Sequence, residues 1–295
     1  MLYRFPEGRA LGETVDDPRA IYDDVPWGTA PDHRPYVVIN MVTTVDGNIT
    51  LDHNRYREPI GSDVDRALMV RLRGGADAVL RGAQTVRAYP YYPKTAPHIA
   101  ESRQAAGRPP HPRAVVVTAS CRLPLETSYF QGAPQRPLVF TSPAADPARR
   151  EAAARVADVE LVEPVPGEAE ESNAADDRGE PASVQARPQG GVNWREVLAR
   201  LRCKYGVQRL LVEGGPRVNY DLFALGAVDE LFCTVAPKIG GQHDDLTMVE
   251  GPRLLVPLPR LRLVSVYEHE DELFLRYRVA ARSQAPTTPR WKGSN

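Results

Sequence analysis

An α/β fold on a mostly parallel central sheet, with helices on both faces and a C-terminal antiparallel hairpin, is predicted by three features of the sequence. Short apolar runs at residues 36–42, 76–80, 113–117, 138–140 and 210–212 lack the alternation of half-exposed strands and read as strands buried on both faces. Helical patterns separate several of them, as parallel neighbours require. Near the end, residues 261–266 and 273–279 do alternate, and they flank the polar stretch Tyr267 to Glu272 as an antiparallel hairpin would.

Residues 1–34 scatter Tyr3, Phe5, Ile21, Tyr22 and Trp27 among Gly, Pro and Asp, and are expected to form an arm against a domain spanning residues 35–280. The run at 36–42 carries Asn40 near its end and leaves through Thr43, Thr44 and Asp46. A helix follows Gly61: Ser62 can cap it, Asp63 and Asp65 fill its first turn, Leu68, Met69 and Leu72 form its stripe, and Gly74-Gly75 ends it. Arg71 and Arg73 near that end suit the helix dipole and are expected on the solvated face. The next strand leaves through Arg81-Gly82-Ala83-Gln84-Thr85-Val86, and the Pro- and Tyr-rich residues 88–112 are expected to loop over the sheet edge.

The strand at 113–117 leaves through Thr118-Ala119-Ser120-Cys121-Arg122, and that at 138–140 through Thr141-Ser142. A helix at 148–157 and a short strand at 159–162 come next. Residues 164–191 hold almost no large apolar side chains, so they cannot offset chain entropy and are expected to be a disordered insertion. Trp194, Val197, Leu198 and Leu201 then mark one helix face leading into the strand at 210–212. A strand at 228–235 ends in Ala236-Pro237-Lys238-Ile239-Gly240-Gly241, where exposure is the expected state of Lys238, and the tail from residue 281 is expected to be loose.

Composition narrows the function classes. With 295 residues and 42% hydrophobic content there is material for one large core, and a formal charge of −1 gives no global attraction to nucleic acid or an acidic membrane. Cys121, Cys203 and Cys233 stand far apart, without the spacing of a zinc site or a disulfide scaffold, so no metal is expected and a reducing cytoplasm fits. No apolar run reaches membrane-spanning length, and the N-terminus lacks the apolar centre of a signal peptide.

The segment Arg209 to Asn219, RLLVEGGPRVN, carries the strongest functional signal. Glu213 puts a carboxylate at a strand end, Gly214-Gly215 removes two Cβ atoms, and Pro216 suits the first turn of a helix. Such a turn lets backbone approach a ligand and directs N–H groups and the positive helix end at it, as a phosphate requires. A plain tight turn is the competing reading, but a carboxylate immediately before it favours a site at the sheet's carboxyl edge. At Thr118 to Arg122, two hydroxyls and a guanidinium fit either a phosphate or an ordinary polar loop.

Taken in order, NMVTTVDGNIT, GSDVDRALMVRLRGGADAVLRGAQTV and LLVEGGPRVNYDLFALGAVDELFCTVAPKIGG make a succession that resembles the reductase domain of riboflavin biosynthesis, over residues 35–280. The resemblance implies a dihydrofolate-reductase-like fold, NADPH as hydride donor and a diaminopyrimidine ribosylamino phosphate as acceptor, reduced at the imine of its opened sugar. Carried over position by position, it places Gly82, Gln84, Thr85 and Val86 against the cofactor, Thr118, Ser120 and Arg122 near the adenosine 2′-phosphate, and Gly214, Gly215 and Pro216, with Arg217 beside them, beneath the pyrophosphate. Asn40, Thr44, Asp46, Ser62 and Glu213 match positions near the nicotinamide and pyrimidine, Thr44 on the cofactor side and Asn40, Ser62 and Glu213 on the substrate side. Glu213 and Asp46 are the carboxylates to consider for proton handling, with a purely binding role open for each. The family also implies a homodimer.

The sequence departs from that pattern in two places. The acidic pair usual after the second glycine turn gives way to Arg87-Ala88-Tyr89-Pro90-Tyr91, so Tyr89 and Tyr91 become candidates for stacking on substrate, and Arg87 and Lys94 candidates for an anion. Asn48 stands where a lysine is usual. Residues 1–34 contain none of the H-x-E or P-C-x-x-C ligands of a zinc deaminase, so a stand-alone reductase is expected. Two alternatives stay open: a reductase of another pterin- or pyrimidine-like compound in secondary metabolism, and a non-catalytic nucleotide-binding module.

Overall fold

The computed structural model describes residues 2–4, 10–13, 16–23, 25–52, 58–164, 191–241 and 244–280. The expected insertion, but for residues 164 and 191, and the expected loose tail from 281 lie outside them.

Among the described residues the strands are β1 (Leu2–Arg4), β2 (Ala10–Glu13), β3 (Tyr36–Thr44), β4 (Ala78–Gly82), β5 (Arg113–Thr118), β6 (Leu138–Thr141), β7 (Asp158–Leu161), β8 (Arg209–Val212), β9 (Glu230–Ala236), β10 (Leu261–His269) and β11 (Glu272–Val279). They form a single sheet in the order β2-β1-β10-β11-β9-β3-β8-β4-β5-β6-β7. From β9 to β7 every pairing is parallel; β11, β10, β1 and β2 continue it antiparallel. The C-terminal hairpin forms as expected, but it does not end the sheet. β1 pairs with β10 through Leu2↔Tyr267 to Arg4↔Ser265, satisfying backbone groups that an edge strand would leave open.

The helices are α1 (Asp63–Gly75), α2 (Ala83–Ala88), α3 (Pro97–Ala105), α4 (Pro147–Val156), α5 (Trp194–Cys203) and α6 (Pro216–Leu225). Successive strand residues go to opposite cores, which is why the runs read as unbroken. Val37, Ile39, Leu80, Leu210 and Val212 pack with Val197, Leu198 and Leu201 of α5 and Leu222 of α6. Val38, Val79 and Leu211 pack with Leu68 and Leu72 of α1, joined by Phe232, Phe274 and Tyr22. A third cluster sets Val116 and Val139 against Val86, Tyr129 and Ala153.

The region expected to be a loop over 88–112 contains α3. Its buried side chain is Arg103, which donates to the carbonyls of Gly74 and Ala76 at 2.7 Å each and of Pro109 at 2.9 Å. A helix held by a guanidinium on backbone carbonyls leaves no apolar period to detect.

Candidate active site

Parallel strands all point their carboxyl ends to one rim, so the exits of β3, β8, β4 and β5 become neighbours although they are far apart in sequence. At the centre of the rim the two glycine turns meet. The Gly82 amide donates to the Gly214 carbonyl at 2.9 Å. A Cβ on Gly82 would lie 3.1 Å from Val218 Cγ2, one on Gly215 3.2 Å from Thr85 Oγ1, and one on Gly214 3.3 Å from Met41 Sδ. Gly214 also has φ +79°, a conformation that favours glycine. Pro216 opens α6 with Gly215 at its N-cap and no capping side chain, leaving first-turn amides directed at the rim; Arg217 follows in the same turn.

Glu213 sits directly before this turn, and its side chain is only 6% exposed. Arg73 donates to it from Nε (2.6 Å, to Oε1) and Nη2 (2.9 Å, to Oε2), and Arg81 from Nε (2.9 Å) and Nη2 (2.6 Å), both to Oε2. Burial pushes the carboxyl up, but the two guanidiniums outweigh it and hold it at about 2. The assignment of Arg73 to the solvated face is therefore corrected: it is 4% exposed, because a long side chain on a helix leans back towards the helix N-terminus and here reaches the rim. Arg81 was passed over, although a charged residue closing a strand otherwise buried at every position was a readable signal.

Asp46 is exposed and caught in its own turn. Its carboxylate accepts from Thr44 Oγ1 (2.5 Å), Asn48 Nδ2 (3.2 Å) and the amides of Gly240 (3.0 Å) and Gly241 (2.7 Å). The Thr44 hydroxyl first, then the two amides, lower it to about 2. Thr44 is itself buried and accepts from the Asn48 amide at 3.0 Å, so the TVDGN turn is a clamp on residues 240–241. Lys238 in that segment donates to the Pro59 carbonyl at 2.7 Å and pairs with Glu58 at 2.9 Å.

Ser62 caps α1, accepting from the amides of Val64 and Asp65, while its hydroxyl and amide both donate to buried Glu272 at the start of β11. Asn40 is half-buried on β3 and makes no side-chain hydrogen bond among the described residues. Asp65, in the first turn of α1, lies in the same quarter; burial raises it to about 6 against a Thr234 hydrogen bond that lowers it, and Glu272 raises it further.

The second turn divides. Gln84 and Thr85 face outwards at least in part, whereas the Val86 side chain is wholly buried in the third core cluster. Beyond it Tyr89 and Tyr91 are 47% and 46% exposed, edge to face with centroids 6.3 Å apart, and Arg81 lies 5.3 Å over the Tyr91 ring. At the exit of β5, Thr118 is buried, Ser120 half-buried and Arg122 exposed.

A mostly parallel sheet continued by a C-terminal antiparallel hairpin places the protein among the α/β folds whose strand ends share one carboxyl rim. Within them, residues 35–275 match the RibD C-terminal domain, and the chain belongs to that family. A relative from Archaeoglobus fulgidus, 30% identical over 75% of this chain and 89% of its own length, is a 2,5-diamino-6-ribosylamino-4(3H)-pyrimidinone 5′-phosphate reductase. Another of that name from Methanothermobacter thermautotrophicus is 27% identical over 83% of this chain and 99% of its own. In fold the chain is similar to a pyrimidine reductase-like protein from Corynebacterium diphtheriae, with a TM-score of 0.66 over 84% of this chain and 92% of that one, at 24% identity.

Proposed function

We propose that the protein is an NADPH-dependent reductase of a ribosylamino-pyrimidine phosphate of the kind its archaeal relatives are named for. The observation that carries the reading is the meeting of the two glycine turns at 2.9 Å, directly beside a carboxylate held by two guanidiniums. Three glycines whose Cβ atoms would crowd this turn make a backbone cradle suited to a pyrophosphate, with Pro216 and Arg217 at the helix end beneath it. Gln84 and Thr85 border the cradle, and Thr118, Ser120 and Arg122 continue the row of strand ends towards a 2′-phosphate.

NADPH, when bound, would supply the hydride, and the protein's own residues would position the acceptor and exclude water. Glu213, with its charge fixed, holds Arg73 and Arg81 in place beside the glycine turns on the substrate side and does not shuttle protons at neutral pH, because both guanidiniums keep it ionised. Asp46 likewise stays ionised and shapes the turn. Asn40 and Ser62 border the substrate side. Tyr89 and Tyr91 support a second reading, reduction of a related flat pyrimidine- or pterin-like compound, since half-exposed rings at the rim offer a stacking surface.

A homodimer belongs to the same proposal. Leu254, Val256 and Leu258, leading into β10, are 74%, 77% and 62% exposed, an apolar row suited to a second copy. A monomeric mass by light scattering would remove that part.

The test is consumption of NADPH over a panel of ribosylamino-pyrimidines and pterins, followed by loss of reduced-nicotinamide absorbance. Turnover with the ribosylamino-pyrimidine phosphate supports the first reading, and turnover only with another flat compound the second. No consumption with any of them, in a protein shown to be folded, would defeat both.

A further inference from the structure

Reduction of an imine consumes a proton as well as a hydride, and neither Glu213 nor Asp46 can deliver it. Glu213 is held in its charged form by Arg73 and Arg81, and Asp46 by the donors of its own turn. A third carboxyl on the substrate side is in the opposite condition. Asp65 stands in the first turn of α1, which Ser62 caps. It is half-buried, and a Cβ on Gly61 would lie 2.4 Å from its Oδ2, so that glycine leaves the space the carboxyl fills.

Side-chain alternation along the strands sets what lies opposite Asp65. Val38, Val79, Leu211, Phe232 and Phe274 enter the core beneath α1. One period of two residues nearer the rim, the same strand faces present Asn40, Arg81, Glu213, Thr234 and Glu272. The register makes them a continuous row: Val79 pairs with Leu211, Leu211 with Val38, Asn40 with Phe232, and Thr234 with Phe274. Helix α1 lies over this row. Its Arg73 bonds Glu213, its cap Ser62 bonds Glu272, and Asp65, between them in the chain, accepts from Thr234.

The groups that face Asp65 decide its charge. Glu272 comes from β11, Thr234 and Cys233 from β9, and Tyr22 from the segment before β3. Burial pushes the Cys233 thiol up to about 11 and also raises the Tyr22 hydroxyl, so both are neutral at pH 7. Glu272 accepts from the amide and hydroxyl of Ser62, two donors that favour its charged form, so Asp65 is the member of the pair that carries a proton. Burial outweighs the Thr234 hydrogen bond and brings the Asp65 carboxyl to about 6, close to the pH at which it would work.

We propose that Asp65 is the proton donor of the reduction, delivering to the imine nitrogen from the α1 side of the rim while hydride reaches the imine carbon. This role rests on the reductase reading of the site. As a C–H bond forms at the imine carbon, the C=N π bond opens towards nitrogen. That electron pair takes the Asp65 proton, so an N–H bond forms and the carboxyl O–H bond breaks. The imine is reduced to an amine at the expense of NADPH, and the Asp65 carboxylate regains a proton from water.

Wild type, Asp65→Asn and Glu272→Gln, each checked for folding by its Tm, are assayed with NADPH and the ribosylamino-pyrimidine phosphate from about pH 5 to about pH 9. In wild type kcat falls as pH rises beyond the range in which Asp65 is protonated. Asp65→Asn lowers kcat by about 10²–10⁴-fold, leaves KM little changed and flattens the profile. Glu272→Gln keeps turnover but moves the falling limb to lower pH, because a neighbouring negative charge has gone. Independently of turnover, carbon NMR of the side-chain carboxyls shows an Asp65 resonance titrating at about 6. It is absent from Asp65→Asn and moves when the ribitylamino product is added. A kcat in Asp65→Asn within about threefold of wild type, a loss confined to KM, a falling limb that persists in that variant, or a resonance indifferent to product would overturn the donor. In each of those cases turnover by wild type leaves the reductase reading standing, whereas no NADPH oxidation with any compound takes down both.

Discussion

Replacing Glu213 with Gln leaves the shape of the rim nearly unchanged and removes one negative charge from between two buried guanidiniums. The side chains of Arg73, Arg81 and Glu213 are 5%, 3% and 6% exposed, so water cannot take over the lost role. Removing one partner of such a buried network typically costs about 3–5 kcal/mol. The carboxyl's own titration gives a similar figure: moving it from 4.5 to about 2, at about 1.4 kcal/mol per pH unit, corresponds to about 3 kcal/mol. At about 2–4 °C per kcal/mol for a domain of this size, Glu213→Gln should lower Tm by about 6–20 °C at pH 7. The sign with pH follows from the depressed folded-state value. The contribution is fully present above about 4.5 and is lost as pH falls towards about 2, so the variant's deficit should shrink through that window. Scanning calorimetry or circular dichroism at several pH values measures both effects. A Tm within about 2 °C of wild type at pH 7, or a deficit that does not change on acidification, would refute the argument that this carboxylate is buried, ionised and shared.

Asp65 should behave oppositely. Its folded value is raised from 3.8 to about 6, so Asp65→Asn should stabilise the protein at pH 7, by at most about 3 kcal/mol, and have little effect below pH 3.8; denaturant unfolding at both pH values checks this. Asp46→Ala releases the amides of Gly240 and Gly241, so their hydrogen exchange should accelerate while Tm changes little; unaltered exchange would contradict the clamp. Gly214→Ala adds a Cβ 3.3 Å from Met41 Sδ at φ +79°, and should cost about 1–3 kcal/mol by chemical denaturation and abolish 2′,5′-ADP binding by calorimetry.

Much of this protein was already determined by the one-dimensional pattern. Continuous apolar runs such as Val37-Val38-Ile39 and Leu210-Leu211-Val212 specify strands covered on both sides, because each successive side chain needs a different core to enter. The Ser62 cap and the Gly214-Gly215 turn were legible because backbone geometry there demands particular residue types. Tertiary structure decided the partnerships. That Glu213 is neutralised by Arg73 and Arg81, 140 and 132 residues away, follows from where α1 and β4 lie beside β8, and no local pattern records it. The same holds for α3, fixed by one arginine on distant carbonyls, and for the N-terminal strand beside β10. Hydrophobic periodicity reports which face of an element is covered; charge pairing depends on which chain ends meet at the rim, and only the folded sheet brings them together.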